Sequence, residues 1–385
     1  MFRSNTVEIK NKIRRDISNI PGWTTKRKIV VVESDDWGSV RMSSTKAFEE
    51  LKLQGVDESN NHYNIYDALE SNEDLEMLFE TLCKHKDKNG QHPVFTGVNI
   101  VANPDFDKIK SKNYSEYCFE PFTETLKRYP THDKVYELYK TGIQNRLFVP
   151  IFHGREHLNV RRWMNSLKTG HKTTHAAFAK GVTGVYCGIN NEIVPDYQAA
   201  FDIDENCDIE SLIEVLVTGL NLFEKLFGYS SKYFVPTNGP FNNVLEKTLY
   251  DMGVQFINSA KIQNEPLGNG KYKRNFRYLG MKNQFGQMYI TRNCFFEPSS
   301  MEHSADKDWI SDCMSEIESA FRWNKPAVIS SHRVNYIGFL HPENRHRGLS
   351  KLDELLEKML KKWPDIEFMT TVELGNLISE SGNGR

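Results

Sequence analysis

The sequence predicts an α/β fold, either a parallel sheet covered by helices on both faces or an α/β barrel. Short apolar runs rich in β-branched residues recur along the chain, and such runs are typical of strands buried on both faces. Segments with helical periodicity separate the runs, so that helices and strands alternate. Several runs end on polar residues. Because ligands of such folds bind at the carboxyl ends of the strands, a functional site is expected there.

Composition places the chain among ordinary globular proteins. It has 385 residues, of which 39% are hydrophobic and 26% charged, enough for one large α/β domain or two smaller ones. The 49 Lys and Arg residues nearly balance the 51 Asp and Glu residues, which argues against a nucleic-acid partner. The first 28 residues lack the apolar core of a signal peptide, and no stretch approaches the ~20 apolar residues needed to span a bilayer. We therefore expect no membrane span and a cytoplasmic location.

The cysteine pattern favours reduced thiols. The six cysteines are scattered and form no C-x-x-C pair. This distribution indicates core thiols rather than a disulfide framework, in agreement with a cytoplasmic location. The residues are Cys83, Cys118, Cys187, Cys207, Cys294 and Cys313.

The predicted elements follow from periodicity and from residues that cap or break them. Helices are predicted from apolar residues at helical spacing, at 7–17, 45–54, 69–86, 160–179, 209–226, 244–252, 309–323 and 349–362. Strands are predicted from apolar runs bounded by Gly, Pro or Asn, within 28–38, 93–104, 147–159, 181–187, 231–242, 254–258, 287–293, 326–336 and 366–371. Two segments are predicted as loops. Residues 105–130 form either an excursion over the site or plain surface, and residues 266–277 are Gly-rich.

The first candidate site follows the apolar run from Lys28 to Val32, where Asp35 and Asp36 stand side by side. Neighbouring side chains on a strand point to opposite faces, whereas in the turn that follows both can converge on one cavity. Like charges at that distance are held most easily beside a cation, or with one carboxyl protonated. The alternative is a solvated turn that caps the next helix.

The second candidate site is a histidine pair, His153 and His157, which follows the apolar run from Leu147 to Phe152. If a helix begins just after the strand, their spacing of four places both rings on one helix face. Two imidazoles in that arrangement bind one Zn²⁺-like ion. The alternative is a surface coincidence or a capped pair in the core.

Other strand ends also carry polar residues. Asn99 lies near the end of the second predicted strand, and the Pro236 to Asn238 loop offers amide groups to a ligand or forms only a turn. Arg292 and His332 end two further apolar runs. For Arg292 the alternative is an ordinary exposed arginine.

These separate residues fit one chemistry. An Asp and two His supply three ligands to a divalent ion and leave a position open for water, as in catalytic metal sites. The second Asp then remains free to act as a base on that water, and His332 can protonate a leaving group. Mixed nitrogen and oxygen ligation with an open position favours zinc as the ion.

The motifs resemble those of the polysaccharide deacetylases of the NodB homology type, carbohydrate esterase family 4 and its relatives. In that family Thr-Phe-Asp-Asp follows the first strand, His-x-x-x-His follows a later strand, and Leu-x-His lies near the C-terminus. This chain has, in the same order, Glu33-Ser34-Asp35-Asp36, His153-x-x-x-His157 and Ser330-Ser331-His332. The resemblance spans about Lys28 to Leu377 and implies a distorted (β/α) barrel with about seven parallel strands.

The resemblance also implies a domain organisation and an activity. Residues 1–27 form an N-terminal helical extension, residues 28–378 a single catalytic barrel and residues 379–385 a polar tail. The expected activity is metal-dependent removal of an acyl group, expected to be acetyl, from a carbohydrate or glycoconjugate. Carried over residue by residue, Asp35 matches the catalytic base and His332 the catalytic acid, while the metal ligands are Asp36, His153 and His157.

The chain departs from the family at two places. Residues 234–239 occupy the place of the family's Arg-x-Pro motif but contain no Arg, and we expect Arg292 to substitute within hydrogen-bond reach of Asp35. Trp37 replaces the small residue that commonly follows the Asp pair, which predicts a narrower pocket. The residues expected to contact the substrate are Trp37, Asn99, Pro236, Asn238 and Tyr336.

Two other functions fit part of the pattern. Residues 153–157 also match H-x-x-E-H, the zinc motif of inverzincin peptidases, in which Glu156 would be the base. That motif belongs within a helix, whereas the preceding apolar run places His153 at a strand end. The second alternative is a sugar-binding barrel without turnover, with Trp37, Trp163 and Tyr336 as platforms. Metal content distinguishes binder from enzyme, and peptide versus acetyl-sugar hydrolysis distinguishes the two enzymes.

Overall fold

The computed structural model describes residues 13–205, 208–302 and 307–382. Its strands are β1 (Lys28–Trp37), β2 (Phe95–Ile100), β3 (Ala102–Pro104), β4 (Phe119–Pro121), β5 (Phe148–Gly154), β6 (Tyr233–Phe234), β7 (Phe256–Asn258), β8 (Ile262–Pro266), β9 (Tyr272–Phe276), β10 (Met288–Ile290), β11 (Cys294–Phe295), β12 (Ala327–His332) and β13 (Ile366–Phe368). Its helices are α1 (Thr45–Leu53), α2 (His62–Tyr66), α3 (Asn72–Cys83), α4 (Phe106–Ser111), α5 (Phe122–Leu126), α6 (Val135–Gln144), α7 (Val160–Lys168), α8 (Lys172–Phe178), α9 (Asp208–Phe227), α10 (Glu246–Asp251), α11 (Trp309–Arg322), α12 (Pro342–Lys362) and α13 (Thr371–Gly382).

The central sheet is parallel throughout, in the order β10-β7-β6-β5-β2-β1-β12-β11, and β13 runs beside the first residues of β1. Its edge strands β10 and β11 are separated only by residues 291–293, and they pair with β7 and β12 respectively. One interrupted strand therefore joins the two edges. Counted as one, it makes seven strands with β1, β2, β5, β6, β7 and β12. The predicted α/β fold, a distorted barrel of about seven parallel strands, is confirmed.

The side chains of β1 alternate between two apolar cores. Ile29 and Val31 belong to an apolar cluster that also contains residues of β2, β5, β6, β7, β10 and β12, so this cluster fills the barrel. Val30 and Val32 pack in a second cluster against the outer helices. Because successive strand side chains point to opposite faces, Glu33 and Asp35 continue the inward series beyond Val31. The barrel interior thus receives two carboxylates toward the carboxyl end of β1.

The helices cover the outer face of the sheet because each has one apolar side. Leu75, Leu78 and Leu82 of α3 lie on one helix face and belong to the same cluster as Val30 and Val32. The helix begins at Ser71, whose side chain accepts from the Asp74 amide while the Asp74 side chain accepts from the Ser71 amide. This capping box satisfies backbone donors that would otherwise have no partner.

One predicted loop and one predicted strand are wrong. Residues 105–130 are not a loop, since they contain α4, β4 and α5, and β4 pairs with β3 in a small antiparallel sheet. Residues 181–187 form no strand. Their apolar members Val182 and Val185 instead pack in a cluster with Ala47 and Leu51 of α1. Burial of these side chains replaces strand pairing as the stabilising contact.

The segment 266–277 was predicted as a loop and instead contributes to a hairpin, in which β8 pairs antiparallel with β9. Gly268, Asn269 and Gly270 all have positive φ angles and form the turn. Glycine and asparagine adopt that conformation at low steric cost, so the glycines mark the turn rather than an unstructured region.

The helix predicted over 160–179 is divided into two helices, α7 and α8.

The ends of the chain are described only in part. Of the helix predicted at 7–17, residues 7–12 lie outside the described residues, and residues 13–18 are helical. Of the predicted tail, residues 379–382 belong to α13 and residues 383–385 lie outside. Among the described cysteines all five are free, but only Cys294 and Cys313 are buried, and Cys207 lies outside. No described helix is long and apolar enough to cross a membrane.

Candidate active site

A cavity of about 570 Å³ opens at the carboxyl ends of the barrel strands. All six residues predicted as metal ligands or catalytic groups line it, together with two of the predicted substrate contacts. These residues are Asp35, Asp36, His153, His157, Pro236, Asn238, Arg292 and His332. The structure therefore brings together side chains that lie up to about 300 residues apart in the sequence, because parallel strands present all their carboxyl ends at one rim.

Asp36, His153 and His157 form a cluster with one ligand atom from each residue. These three atoms lie within 4.8 Å of one another. The Asp36 Oδ1 oxygen is 3.5 Å from His153 Nε2 and 3.2 Å from His157 Nε2. Asp36 reaches this position because its φ angle is +78°, a conformation that non-glycine residues adopt rarely and that commonly marks a functional constraint.

The histidine pair is assembled by a strand end and a bend, not by a helix. His153 belongs to β5, Gly154 follows with φ +152°, and α7 begins only at Val160. The condition for both rings to share a helix face, a helix that begins just after the strand, is therefore not met. Glycine at position 154 permits the sharp change in direction that returns His157 to His153.

The donor set fits a divalent metal ion. His153 Nδ1 donates to the Val235 carbonyl oxygen at 2.7 Å, which leaves Nε2 as the free lone pair directed at the cluster. Burial alone would raise the pKa of Asp36, but the neighbouring His153 and His157 rings hold that pKa well below its usual value. Burial lowers the pKa of His157. A carboxylate and neutral imidazoles are the protonation states that bind metal.

One polar atom at the cluster has no partner. His157 Nδ1 is buried and forms no hydrogen bond within the described residues. An ordinary core histidine satisfies both ring nitrogens, since an unpaired buried polar group costs about 1–3 kcal/mol. Metal-binding histidines usually donate from the second ring nitrogen as well, so the assignment of His157 as a ligand depends on its Nε2, which lies 3.2 Å from Asp36 Oδ1.

Asp35 is held by a single arginine. The Arg292 guanidinium donates from Nη1 to Asp35 Oδ2 and from Nη2 to Oδ1, both at 2.6 Å. This is well within the limit of about 6 Å at which an opposite charge strongly shifts a pKa. Burial would raise the pKa of Asp35, but Arg292 outweighs burial and the pKa is lowered. The carboxylate is therefore ionised and fixed in orientation.

Arg292 itself is anchored inside the barrel. It lies in the interruption between β10 and β11, and its Nε donates to Glu33 Oε2 at 2.5 Å. Glu33 is fully buried and also accepts from the hydroxyls of Tyr233 and Thr371, at 3.0 and 2.6 Å. Burial would lower the pKa of Arg292, but Asp35 and Glu33 raise it well above its usual value. The arginine thus connects two inward-facing carboxylates of β1.

His332 faces Asp35 across the cavity. Its Nδ1 donates to Glu297 Oε1 at 2.6 Å, and its Nε2 lies 3.8 Å from Asp35 Oδ2. Burial favours the neutral ring, but the Glu297 carboxylate outweighs it and the pKa of His332 is raised to about 10. The ring is therefore protonated at neutral pH, with Nε2 directed toward Asp35.

Three of the predicted substrate contacts are wrong. Trp37, Asn99 and Tyr336 are fully buried and do not line the cavity. Trp37 donates to Ser34 Oγ, Asn99 donates to the Tyr139 hydroxyl, and Tyr336 exchanges a hydrogen bond with a neighbouring serine hydroxyl. These contacts make them core residues. Trp163, a platform in the non-enzymatic alternative, is likewise fully buried.

Other cavity residues were not predicted. Arg41, Tyr63, Tyr186 and Phe295 line the cavity. Arg41 and Tyr63 come from segments between predicted strands, a loop and the short helix α2, so the strand-end pattern does not mark them. Tyr186 lies in the segment 181–187, which was predicted as a strand, but it is not among the predicted site residues. Spatial proximity alone assigns them to the site.

Glu156, the base of the alternative peptidase motif, lies outside the cavity. It is buried and accepts a hydrogen bond from Arg155 Nε at 2.6 Å. The motif also begins on β5 rather than within a helix. Both observations disagree with the peptidase hypothesis.

No protein-family model matches the chain, and no curated protein matches its sequence. Solved structures align with it over most of its length. One is a putative polysaccharide deacetylase from Mycobacterium smegmatis, with 11% identity, 94% of each chain covered and a TM-score of 0.43. Another is a probable polysaccharide deacetylase from Pseudomonas aeruginosa PAO1, with 9% identity, 91% of each chain covered and a TM-score of 0.45. A third is Puue allantoinase, with 10% identity, 92% of this chain and 91% of the other covered and a TM-score of 0.45. These similarities concern the fold.

Proposed function

We propose that the protein is a metal-dependent hydrolase that removes an acyl group, acetyl in the first instance, from a carbohydrate or glycoconjugate. One observation carries the proposal. The Asp36, His153 and His157 cluster shares a single cavity with an ionised Asp35 and a protonated His332. A ligand set, a base and an acid are the parts that hydrolysis of an amide or ester requires.

Asp36, His153 and His157 would hold a divalent ion, and their mixed oxygen and nitrogen donors favour zinc. Such an ion, when bound, supplies polarisation of the acyl carbonyl and acidification of a water molecule. The remaining steps belong to the side chains of this chain. The Asp35 carboxylate accepts a proton from the attacking water, and Arg292 holds its oxygens in the required orientation.

His332 completes the reaction by donating its Nε2 proton to the departing sugar nitrogen or oxygen. Its partner Glu297 binds Nδ1, which directs Nε2 into the cavity and stabilises the protonated ring. The distance of 3.8 Å between His332 Nε2 and Asp35 Oδ2 supports the proposal that the two groups act on one acyl group. The two proton transfers therefore require no large movement of either side chain.

The resemblance to polysaccharide deacetylases supports the same assignment. In those proteins an Arg in an Arg-x-Pro motif orients the base, and here Arg292 occupies that function from a different strand end. The bidentate contact is what a planar guanidinium provides and a lysine does not. We therefore assign Arg292 as the positioning residue for Asp35.

The test combines metal analysis with product detection. The purified protein is analysed for bound metal, and acetate release is measured on N-acetylated and O-acetylated oligosaccharides with and without a chelator. We expect about one divalent ion per chain and acetate release that the chelator abolishes. Sugar binding without metal and without acetate would support the non-enzymatic alternative, and cleavage of peptides instead would support the peptidase.

A further inference from the structure

We infer that Arg41 binds an anionic group, a carboxylate or phosphate, on the sugar substrate. The inference rests on the proposed function and specifies the substrate class of the same site. Arg41 lines the cavity that contains Asp36 and His157. The residue is only 8% exposed, so it is largely enclosed by protein.

The hydrogen-bond partners of Arg41 are all uncharged. Nε donates to Asn64 Oδ1 at 3.0 Å, Nη1 donates to Gln198 Oε1, and Nη2 donates to the Tyr186 hydroxyl at 3.1 Å. The guanidinium also lies 5.4 Å from the ring centre of Tyr63. An arginine has five N–H groups, so three bonds leave two donors, one on each Nη nitrogen.

No carboxylate of the described residues forms an ion pair with Arg41. Burial opposes the charge of Arg41, but Tyr186, Asp67 and Asp36 outweigh it and raise its pKa, the two aspartates only through space. Asp67 is bound to Arg333 at 3.0 Å, and Asp36 to the two histidines. The two carboxylates that act on the pKa of Arg41 therefore already have other partners.

The other buried arginines behave differently. Arg155 binds Glu156 at 2.6 Å, Arg333 binds Glu70 at 2.8 Å, and Arg345 binds an aspartate at 2.7 Å. This is the usual state, because a buried charge is expensive unless an opposite charge compensates it. Arg41 departs from that rule at the wall of the candidate active site, where a ligand can supply the missing charge.

The chemistry of the guanidinium specifies what the ligand carries. Its planar fork matches the two oxygens of a carboxylate or a phosphate, and charge-assisted hydrogen bonds are about twice as strong as neutral ones. Asn64, Gln198 and Tyr186 hold the group in one orientation, so little side-chain entropy is lost on binding. We therefore expect an acylated sugar that is itself acidic, or whose neighbouring unit is.

The experiment compares three matched sugars by isothermal titration calorimetry on the full chain. N-acetylglucosamine is the neutral probe, N-acetylmuramic acid adds a carboxylate, and N-acetylglucosamine 6-phosphate adds a phosphate. We expect at least one acidic sugar to bind about tenfold more tightly than the neutral one. The acidic sugar that binds more tightly identifies the anion. Equal affinity for all three sugars, or no binding of any, overturns the inference.

Three variants assign the preference to Arg41. Arg41→Met should abolish the preference, so that the acidic and the neutral sugars bind that variant with equal affinity. Arg41→Lys, which keeps the charge but not the fork, should retain a reduced preference. Lys261→Met removes another cation from the cavity wall and should retain the full preference. A preference that survives Arg41→Met, or that disappears in Lys261→Met, contradicts the inference.

Failure of this inference is separable from failure of the proposed function. Metal content and acetate release from neutral oligosaccharides test the function without reference to Arg41. A protein that binds metal and releases acetate but shows no preference for acidic sugars retains the function and loses the inference. Melting curves test whether each variant is folded. If Arg41→Met does not fold, Arg41→Lys still tests the inference.

Discussion

At the scale of single residues, Asp35 is distinguished from its neighbour Asp36 by its partners. Asp35 binds Arg292 through both oxygens, whereas Asp36 faces two histidines. Substitution of each should therefore have a different consequence, although the two residues are adjacent in the sequence.

Asp35→Asn should keep the fold and the bound metal but lower turnover by roughly 10²-fold or more, the usual scale for a lost general base. The amide retains the shape of the side chain but does not accept the proton. The measurement is kcat for acetate release together with metal content. Turnover close to that of the natural protein would show that another group is the base.

Asp36→Ala should remove the metal, because it deletes the only carboxylate of the cluster. Metal content after dialysis is the measurement, and Asp35→Asn serves as the matched control. Stoichiometric metal in the Asp36→Ala protein would show that the ion, if present, is held elsewhere.

Glu297→Gln should shift the alkaline limb of the rate profile to lower pH. Burial opposes the charged His332 ring, and Glu297 outweighs burial to raise its pKa to about 10. A general acid must be protonated, so activity is lost as pH rises through that pKa. The raised pKa also contributes stability that is complete below the unfolded value of about 6.5 and is lost as pH rises toward 10. An unchanged alkaline limb in this variant would show that His332 does not govern it.

At the scale of elements, a buried ion network joins the turn after β1 to the turn after β12. Glu70 accepts from the Gly38 amide at 3.1 Å, from the Tyr139 hydroxyl at 2.7 Å and from Arg333 at 2.8 Å. Gly38 follows the aspartate pair by two residues, and Arg333 adjoins His332. The network therefore holds the ends of β1 and β12, which carry Asp36 and His332, in a fixed relation.

Arg333→Met should destabilise the protein by about 3–5 kcal/mol, the typical cost of removing one partner of a buried ion pair. Asp67 and Glu70 would be left buried without their positive partner. The measurement is the free energy of unfolding in denaturant. Lys127→Met is the control, because Lys127 and its partner Glu124 are 69% and 51% exposed and their ion pair should contribute at most about 1 kcal/mol. Equal effects of the two changes would contradict the assigned role of the network.

The elements also show which parts of the site are predictable. Asp35, His153, Arg292 and His332 were found because each follows an apolar run, and the ends of parallel strands meet at one rim. The orientation of Trp37 was not predictable in this way. Between Ser34 and Trp37 the pairing of β1 with β2 shifts register, and Asp36 has a positive φ angle. The alternation of faces is interrupted there, so Trp37 enters the outer core beside Phe148.

Arg41 and Tyr63 show a second limit on prediction. They reach the cavity from segments between predicted strands, and the path of a connecting segment depends on its tertiary contacts rather than on local periodicity. Residues 181–187 illustrate the same point, because two buried valines hold that segment against α1 without strand pairing. Site residues at strand ends are thus predictable from the sequence, whereas cavity residues on the connecting segments are not.

At the scale of the whole molecule, metal removal should lower the thermal stability. An ion that binds only the folded state adds about 4 kcal/mol when its free concentration is about a thousand times its Kd. The measurement is Tm before and after treatment with a chelator, with recovery after the ion is restored. The Asp36→Ala protein should show no response to the chelator. A chelator effect of equal size in that variant would place the stabilising ion outside the cluster.

The interruption between β10 and β11 has a mechanical consequence for the barrel. A closed ring of hydrogen-bonded strands resists widening of the barrel. Here strand pairing is interrupted at residues 291–293, and we call this interruption the seam. Ile290 still pairs with Asn258, and Cys294 already pairs with Ile329. Between them the wall has few contacts: the Asn293 amide donates to the Val328 carbonyl oxygen at 3.1 Å, and Asn293 Oδ1 accepts from the Val328 amide at 2.8 Å. Any widening of the barrel to admit a bulkier glycan would begin at this seam, and Arg292, which lies in it, would carry the movement directly to Asp35.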